Sequence, residues 1–542
     1  MRRIADLFRR VFWALGAVQV CVKPEVACLS RGGLLPLTIV LKPKPYYRTI
    51  LTLEVNQHSI ANFQRQIVAN ANCSEIQTEI RGNHTGNTEL TIRLFPTSRF
   101  GDGIQSLFSK LAATFGFGFV QMRITVGAPP IFVVAPHPDD EAVMASGIIA
   151  SSISKEEPVK VVVVTNGDHK KGQKTYGLKR QSESVAAMQL LGLRPEDVIF
   201  LGYPGDTREL LYLMNNYQTR QEAYTSTAGA RATYGAHGLG SRDFHSWLTG
   251  KPALYNGLNL HLDLEQLIKA FRPEHLYTSS RFDEHPEHRA VYYFLVRALQ
   301  SIQLDDPSYA PTLHTAVIHD VTANAYDDFW ERDKYPPTIS VDFKGDDFWP
   351  VPTNNSESAD GDEDSLLQST PPPNLWRTSL AWSNVERFPV PLSMRTNNLE
   401  NNLKYQVLQK YASQAIRYLA PFCKQDEIFW QEDLPRTRLL ALAPTILMLK
   451  ESEAYVLAVS LVRPAPRTTA IALESSDETI LSVPSAVVIH TGMMTATFPI
   501  KGVKRGEATV SANLDARQIL ATVIVVDSRE PLFDPSPVLA VQ

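Results

Sequence analysis

From residue 131 the chain reads IFVVA, then PHPDDE, then AVMASGIIAS: a short run that is wholly apolar, a polar turn, and a segment of helical character. A run that short with no polar side leaves no face for water, so it predicts a strand covered on both sides, as in a parallel sheet flanked by helices. VKVVVVT at 159–165 repeats the pattern, and HLYT at 275–278 supplies a further buried strand. Helices are predicted at 142–152, 178–191, 262–271 and 290–302. The alternation predicts an α/β domain over 129–435 with a Rossmann-like, mainly parallel sheet.

The two ends of the chain read differently. Between about residues 35 and 127, LPLTIVL, RTILTLEV, TELTIRL and FVQMRITV are strand-like and separated by polar or glycine-containing stretches, which predicts an N-terminal β-rich domain over 1–128. A helical-looking interruption falls at 105–114. Past residue 436, YVLAVSLV, TTAIALES, TATFPI, EATVSA and ILATVIVV recur at short intervals, the pattern of an immunoglobulin-like β-sandwich over 436–542. The stretch 351–374 carries five acidic residues and no basic one before PPP, and is predicted to be a flexible excursion within the α/β domain. The helix NNLKYQVLQKYASQAIRYL is predicted beyond it.

Chemistry concentrates where buried strands end. IFVVA delivers PHPDDE, and HLYT leads through 279–282 into DEHPEHR. Open α/β sheets build their sites at the carboxyl ends of strands. His137 and Asp140, three apart in a turn, suit one ion; Asp139 or Asp140 would equally serve as an N-cap, and two histidines at a helix start are often solvated. Two His/carboxylate turns after two buried strands give two histidines and a carboxylate, the set that catalytic zinc sites use while leaving a position open for water.

These motifs resemble the PIG-L/LmbE family of zinc-dependent de-N-acetylases, whose first motif is (P/A)HPDDE and whose second is HPDH. TNGD at 165–168, RQSESVAAMQLLG at 180–192, FLGYPGD at 200–206, KYQVLQKYASQ at 404–414 and DEIFW near 426 extend the resemblance over roughly 129–433. It implies one zinc per chain on His137, Asp140 and His288, Asp139 as general base, and His285 stabilising the oxyanion or protonating the amine. Glu287 stands where the family usually has Asp; if it orients His285, the longer side chain rearranges that hydrogen bond. Arg180 and Asp206 match family positions near the pocket, although Arg180 could pair with Glu183 on its own helix, and Asp283 is a further candidate to support the site or bind substrate. In the segment before the second motif, Tyr234, His237, Asp243 and His245 are candidate sugar contacts, and His319 is a further pocket histidine.

A net charge of -4 gives no cationic field for nucleic acid; the resemblance implies a small glycoconjugate or oligosaccharide as the partner. A carbohydrate-binding or surface-assembly protein with an inactive central domain, and an amidase acting on a thiol conjugate, are the alternatives. The absence of a GxGxxG turn after the first strand argues against dinucleotide binding. Four arginines precede an apolar run at 11–22 that is signal-like but too short to span a bilayer. Both a cytoplasmic and an extracytoplasmic location, membrane association and the oligomeric state stay open.

Overall fold

The computed structural model describes residues 18–45, 48–95, 118–205, 209–210, 213, 223–283, 285–319, 385–396, 398–414, 416–432, 434, 437–514 and 517–527. Most of the signal-like start, the helical-looking 105–114, the excursion at 351–374 and Asp206 lie outside the described residues. No helix among the described residues is long and apolar enough to cross a membrane. The chain forms two compact units, residues 1–295 with 311–433, and residues 296–310 with 434–542.

The first unit begins with nine strands: β1 (Gln19–Lys23), β2 (Val26–Ser30), β3 (Leu34–Lys42), β4 (Thr49–Val55), β5 (Ala61–Phe63), β6 (Gln66–Ala69), β7 (Glu75–Gly82), β8 (Gly86–Phe95) and β9 (Phe119–Gly127). They make two sheets, in the orders β1-β3-β7-β5 and β2-β9-β8-β4-β6. Alternate residues of β3 are buried, as the period of two requires of a strand with one face on a core.

The α/β region follows, with β10 (Ile131–Ala135), helix α1 (Asp140–Ser154), β11 (Val159–Thr165), α2 (Lys174–Leu190), β12 (Val198–Tyr203), α3 (Phe244–Thr249), α4 (Gly257–Phe271), β13 (His275–Ser279), α5 (Pro286–Asp305), β14 (Thr312–Ala316), β15 (Val385–Pro389), α6 (Leu403–Leu408), α7 (Ile416–Leu419) and β16 (Asp426–Glu432). The sheet order is β12-β11-β10-β13-β14-β16-β15. β10 through β14 run parallel, while β16 and β15 add antiparallel. Chain order reverses between β10 and β13, adjacent strands in register Phe132 to Leu276 and Val134 to Thr278. This switch point opens a crevice at their carboxyl ends, where PHPDDE and DEHPEHR both emerge.

The long helix predicted after the excursion is two short ones, α6 and α7. Between them Tyr411 donates its hydroxyl to Glu141 Oε1 at 2.7 Å, and the Ser413 N–H donates to Glu183 Oε1 at 3.0 Å. These tertiary bonds draw the connecting residues out of the helical path, overriding local propensity.

The first sandwich seats on the α/β region through the β2–β3 turn. A Cβ at Gly33 would stand 1.9 Å from the Ala270 carbonyl oxygen near the end of α4, so only glycine permits this approach.

The second unit holds β17 (Leu439–Ala443), β18 (Ile446–Lys450), β19 (Ala454–Leu461), β20 (Thr469–Ser475), β21 (Leu481–Ser482), β22 (Ala486–Ile489), β23 (Thr495–Gly502), β24 (Gly506–Leu514) and β25 (Arg517–Val526). Its sheets, β17-β19-β23-β21 and β18-β25-β24-β20-β22, repeat the N-terminal topology strand for strand. A constant shift of 420 residues carries β1, β2, β4, β6 and β7 onto β17, β18, β20, β22 and β23 without a gap. Small features coincide too: Asn83 N donates to Ile60 O and Val503 N to Ile480 O, both at 2.8 Å. The chain therefore contains an internal duplication of a two-sheet sandwich. Core residues from both sheets, among them Leu457, Phe498, Val510 and Val523, form one cluster in the second copy.

Candidate metal centre

His137 follows β10 directly, Asp140 opens α1, and His288 sits in the first turn of α5, whose start Pro286 favours by fixing φ. Adjacent parallel strands thus bring together residues far apart in sequence. His137 Nδ1 lies 3.2 Å from Asp140 Oδ2, His288 Nε2 lies 3.2 Å from the same oxygen, and the two ring nitrogens are 3.3 Å apart. Donors about 2.0–2.1 Å from one tetrahedral zinc stand roughly 3.3 Å from each other. The donor set fits such an ion in identity and in spacing. Ligand-type atoms of His137, His285 and His288 lie within 4.8 Å of one another, as do those of Asp140, His288 and His319.

A carboxylate stands behind each histidine of the triangle, hydrogen-bonded to His137 but without hydrogen-bond alignment at His288. Glu287 Oε2 is 2.6 Å from His137 Nε2, and Asp283 Oδ2 is 3.2 Å from His288 Nδ1. Such partners fix ring orientation and tautomer at metal sites. Asp283 also accepts from the backbone N–H groups of His285 (2.9 Å), Ile318 (2.6 Å) and His319 (3.1 Å), tying the two loops together. Burial works against charge on His137, but Asp140 and Glu287 outweigh it and raise its pKa to about 9. Asp140 and Asp283 likewise overcome burial and push His288 well above its ordinary value. Asp140 itself, despite burial, is held well below the usual carboxylate range by His288 and His137. The cluster is an electrostatic trap for a cation.

His285 is different in kind. Burial first, then the neighbouring His288, His137 and His319, keep it well below its ordinary value and so neutral. Its Nδ1 accepts from the Glu287 N–H at 3.3 Å, which leaves the proton on Nε2 and makes the ring a hydrogen-bond donor there. Glu287 therefore does not orient His285 through its carboxylate, as the sequence suggested; the carboxylate serves His137 instead. His319 is also neutral, lowered to about 4 by burial and then by His288, with its ring centroid 4.9 Å from that of His288.

Asp139 stands at the head of α1 with φ 138°, a strained conformation for a residue other than glycine. Asp139 occupies the N-cap position, but its side chain caps nothing, and the Asp140 carboxylate accepts from the N–H of His137 at 2.8 Å, so neither carboxylate caps the helix. What imposes the strain is visible. Glu141, fully buried, accepts the Asp139 N–H through Oε2 at 3.0 Å, and its Oε1 accepts from Ser184 at 2.5 Å and from Tyr411. Arg180 donates to Asp139 Oδ2 at 3.1 Å and to the carbonyls of Pro138 and Gly167, rather than pairing with Glu183. Burial raises Asp139 to about 7, with Arg180 the main opposing influence.

Of the other predicted residues, Tyr234 donates its hydroxyl to Asp168 Oδ2 at 2.7 Å. Among the described residues His237 makes no hydrogen bond or ion pair. Asp243 is the N-cap of α3, accepting from Ser246 N, and His245 pairs with buried Asp263 at 2.7 Å, so both have structural duties. Sequence reasoning passed over Glu209, which is buried and near the charges of Glu287 and Asp168. In sequence it closes the charged and polar run Asp206, Thr207, Arg208, which does not mark it as buried.

Residues 132–299 match the family model of GlcNAc-PI de-N-acetylase, PIG-L, so this stretch is a PIG-L family domain. No curated protein sequence matches the chain. Among solved structures, N,N'-diacetylchitobiose deacetylase from Pyrococcus horikoshii is similar at 15% identity and a TM-score of 0.23, covering 36% of this chain and 64% of that one. The conserved protein TT1542 from Thermus thermophilus is similar at 20% identity and a TM-score of 0.20, covering 34% and 59%. WR4, a C. elegans MSP family member, is similar at 10% identity and a TM-score of 0.15, covering 20% and 97%. The chain thus spans less than two thirds of either of the first two, and at these scores none of the three carries any part of the argument.

Proposed function

We propose that this chain is a zinc-dependent hydrolase that removes the N-acetyl group of an N-acetylglucosamine-type glycoconjugate. The observation that supports it most is the triangle of His137 Nδ1, Asp140 Oδ2 and His288 Nε2, with edges of 3.2 to 3.3 Å, inside a PIG-L family domain. A zinc ion held there supplies a lowered pKa for water and a Lewis acid for the amide carbonyl. Asp139, next to a ligand in sequence but turned away onto Arg180, takes the proton of the attacking water. The donor nitrogen of His285 faces the oxygen on which negative charge develops, the arrangement that stabilises an oxyanion. When the C–N bond breaks, the proton held by Asp139 passes to the departing amine, and the acetic acid left behind gives the second proton of the water to the freed Asp139, which releases it to solvent, so acetate and a free amine leave in balance.

The roles of the two neighbouring aspartates separate cleanly. Asp139→Asn is expected to keep one zinc per chain while acetate release from N-acetylglucosamine conjugates falls by about 10²-fold or more, the usual worth of a general base. Asp140→Asn is expected to lose zinc and activity together. Metal analysis alongside an acetate assay reads both, and an Asp139→Asn protein with undiminished turnover would remove the general-base assignment.

A further inference from the structure

Glu209 is 4% exposed, and among the described residues only one of its two carboxyl oxygens has a hydrogen-bond partner. Oε1 accepts from the Tyr224 hydroxyl at 2.9 Å and from the Thr227 N–H at 2.7 Å. Oε2 is buried with no hydrogen-bond partner among the described residues. The next residue, Leu210, donates its N–H to Glu287 Oε1 at 3.3 Å, and the other oxygen of Glu287 holds His137. Glu209 is therefore one residue from the backbone that braces the metal centre. Its neighbours are Glu287 and Asp168, whose negative charges act on it, and Asp168 in turn holds the Tyr234 hydroxyl.

A buried polar atom left without a partner is costly, which is why nearly all of them are satisfied in folded proteins. Oε2 of Glu209 is such an atom, and the chain beside it is linked to His137 through Leu210 and Glu287. Burial raises the Glu209 carboxyl to about 8, so near neutral pH both its protonated and its ionised forms are accessible. A hydroxyl group suits both forms, because it accepts from a carboxylic acid and donates to a carboxylate.

We propose that Glu209 is a specificity-determining residue whose Oε2 receives a ring hydroxyl of the sugar that bears the acetamido group. This rests on the deacetylase reading above and deepens it by naming the contact that selects a sugar over a plain acetamide.

The test pairs the residue with the hydroxyl. Zinc-loaded wild type, Glu209→Gln and Glu209→Leu are assayed on methyl N-acetylglucosaminide and its 3-, 4- and 6-deoxy analogues, with zinc content checked for each. Glu209→Gln keeps the size of the side chain and guards against a folding artefact in the leucine variant. Loss of one good hydrogen bond predicts a roughly tenfold fall in kcat/KM for the leucine variant on the parent sugar, chiefly through KM. One deoxy analogue should cost wild type about the same factor and cost the leucine variant nothing further, the non-additivity expected of groups in contact. Equal deoxy penalties in all three proteins, or no loss on the parent sugar, overturn the proposal. If wild type releases no acetate, the deacetylase reading fails, and the same cycle is run on binding of methyl N-acetylglucosaminide by calorimetry. Non-additive binding losses then support the Glu209 contact on its own; additive losses, or no binding by wild type, overturn it.

Discussion

Glu287 holds the ring of His137, and Asp283 lies 3.2 Å from that of His288. In sequence they are two carboxylates in DEHPEHR, and the motif itself was legible because it follows a buried strand. Which histidine each one serves was not, since side-chain direction depends on the packing of β10 against β13. Glu287→Gln keeps the size but exchanges the acceptor behind His137, and zinc affinity should fall by about 10- to 100-fold, measured by competition with a chelator. A second consequence is protonic. The His137 pKa is raised from its ordinary 6.5 to about 9, so at pH 7 the metal-free ring carries a proton that zinc has to displace. Apparent zinc affinity should therefore climb as pH rises toward 9, and the calorimetric enthalpy at pH 7 should differ between buffers of different ionisation enthalpy. Identical enthalpies would mean that no proton is released.

The element that carries Asp140 is held by an ion pair set into its backbone. Helix α1 is broken at Ala145, with φ -138° and ψ 15°. The groups this exposes are taken up: Glu427 accepts from the N–H groups of Gly147 at 2.7 Å and Ile148 at 2.9 Å, and Lys404 donates to the Val143 carbonyl at 2.9 Å and to Glu427 at 2.9 Å. Lys404 is 2% exposed and Glu427 is 4% exposed. Removing one member of a buried pair leaves the other charge uncompensated, so Lys404→Met should cost about 3–5 kcal/mol in chemical denaturation. The double variant Lys404→Met with Glu427→Gln should recover part of that loss. Helix α1 was legible from its apolar periodicity, but the break was not. The residues that stabilise it arrive from α6 and β16, far along the chain, and Lys404 reads from sequence as an ordinary solvated helix residue.

At the scale of the molecule, strands were readable wherever burial alternates, and the parallel sheet wherever it does not. The duplication escaped because the two sandwiches share few side chains. Positions such as Pro24 and Pro444, Gly82 and Gly502, and Gly86 and Gly506 match, while most others keep only the pattern of burial. The copies have diverged where the first one meets α4: Gly32 and Gly33 correspond under the 420-residue shift to Ser452 and Glu453. Gly33→Ala forces a Cβ against the backbone of Ala270 and should destabilise the first unit by about 1–3 kcal/mol, seen as a lower midpoint in denaturant.

Whether one metal-loaded centre in this chain hydrolyses an acetamide is read by titrating metal-stripped protein with zinc while following acetate release from an N-acetylglucosamine conjugate. Activity should rise in proportion to zinc and level at one equivalent per chain. Full activity without metal, or no acetate with one zinc bound, would contradict hydrolysis by a metal-loaded centre.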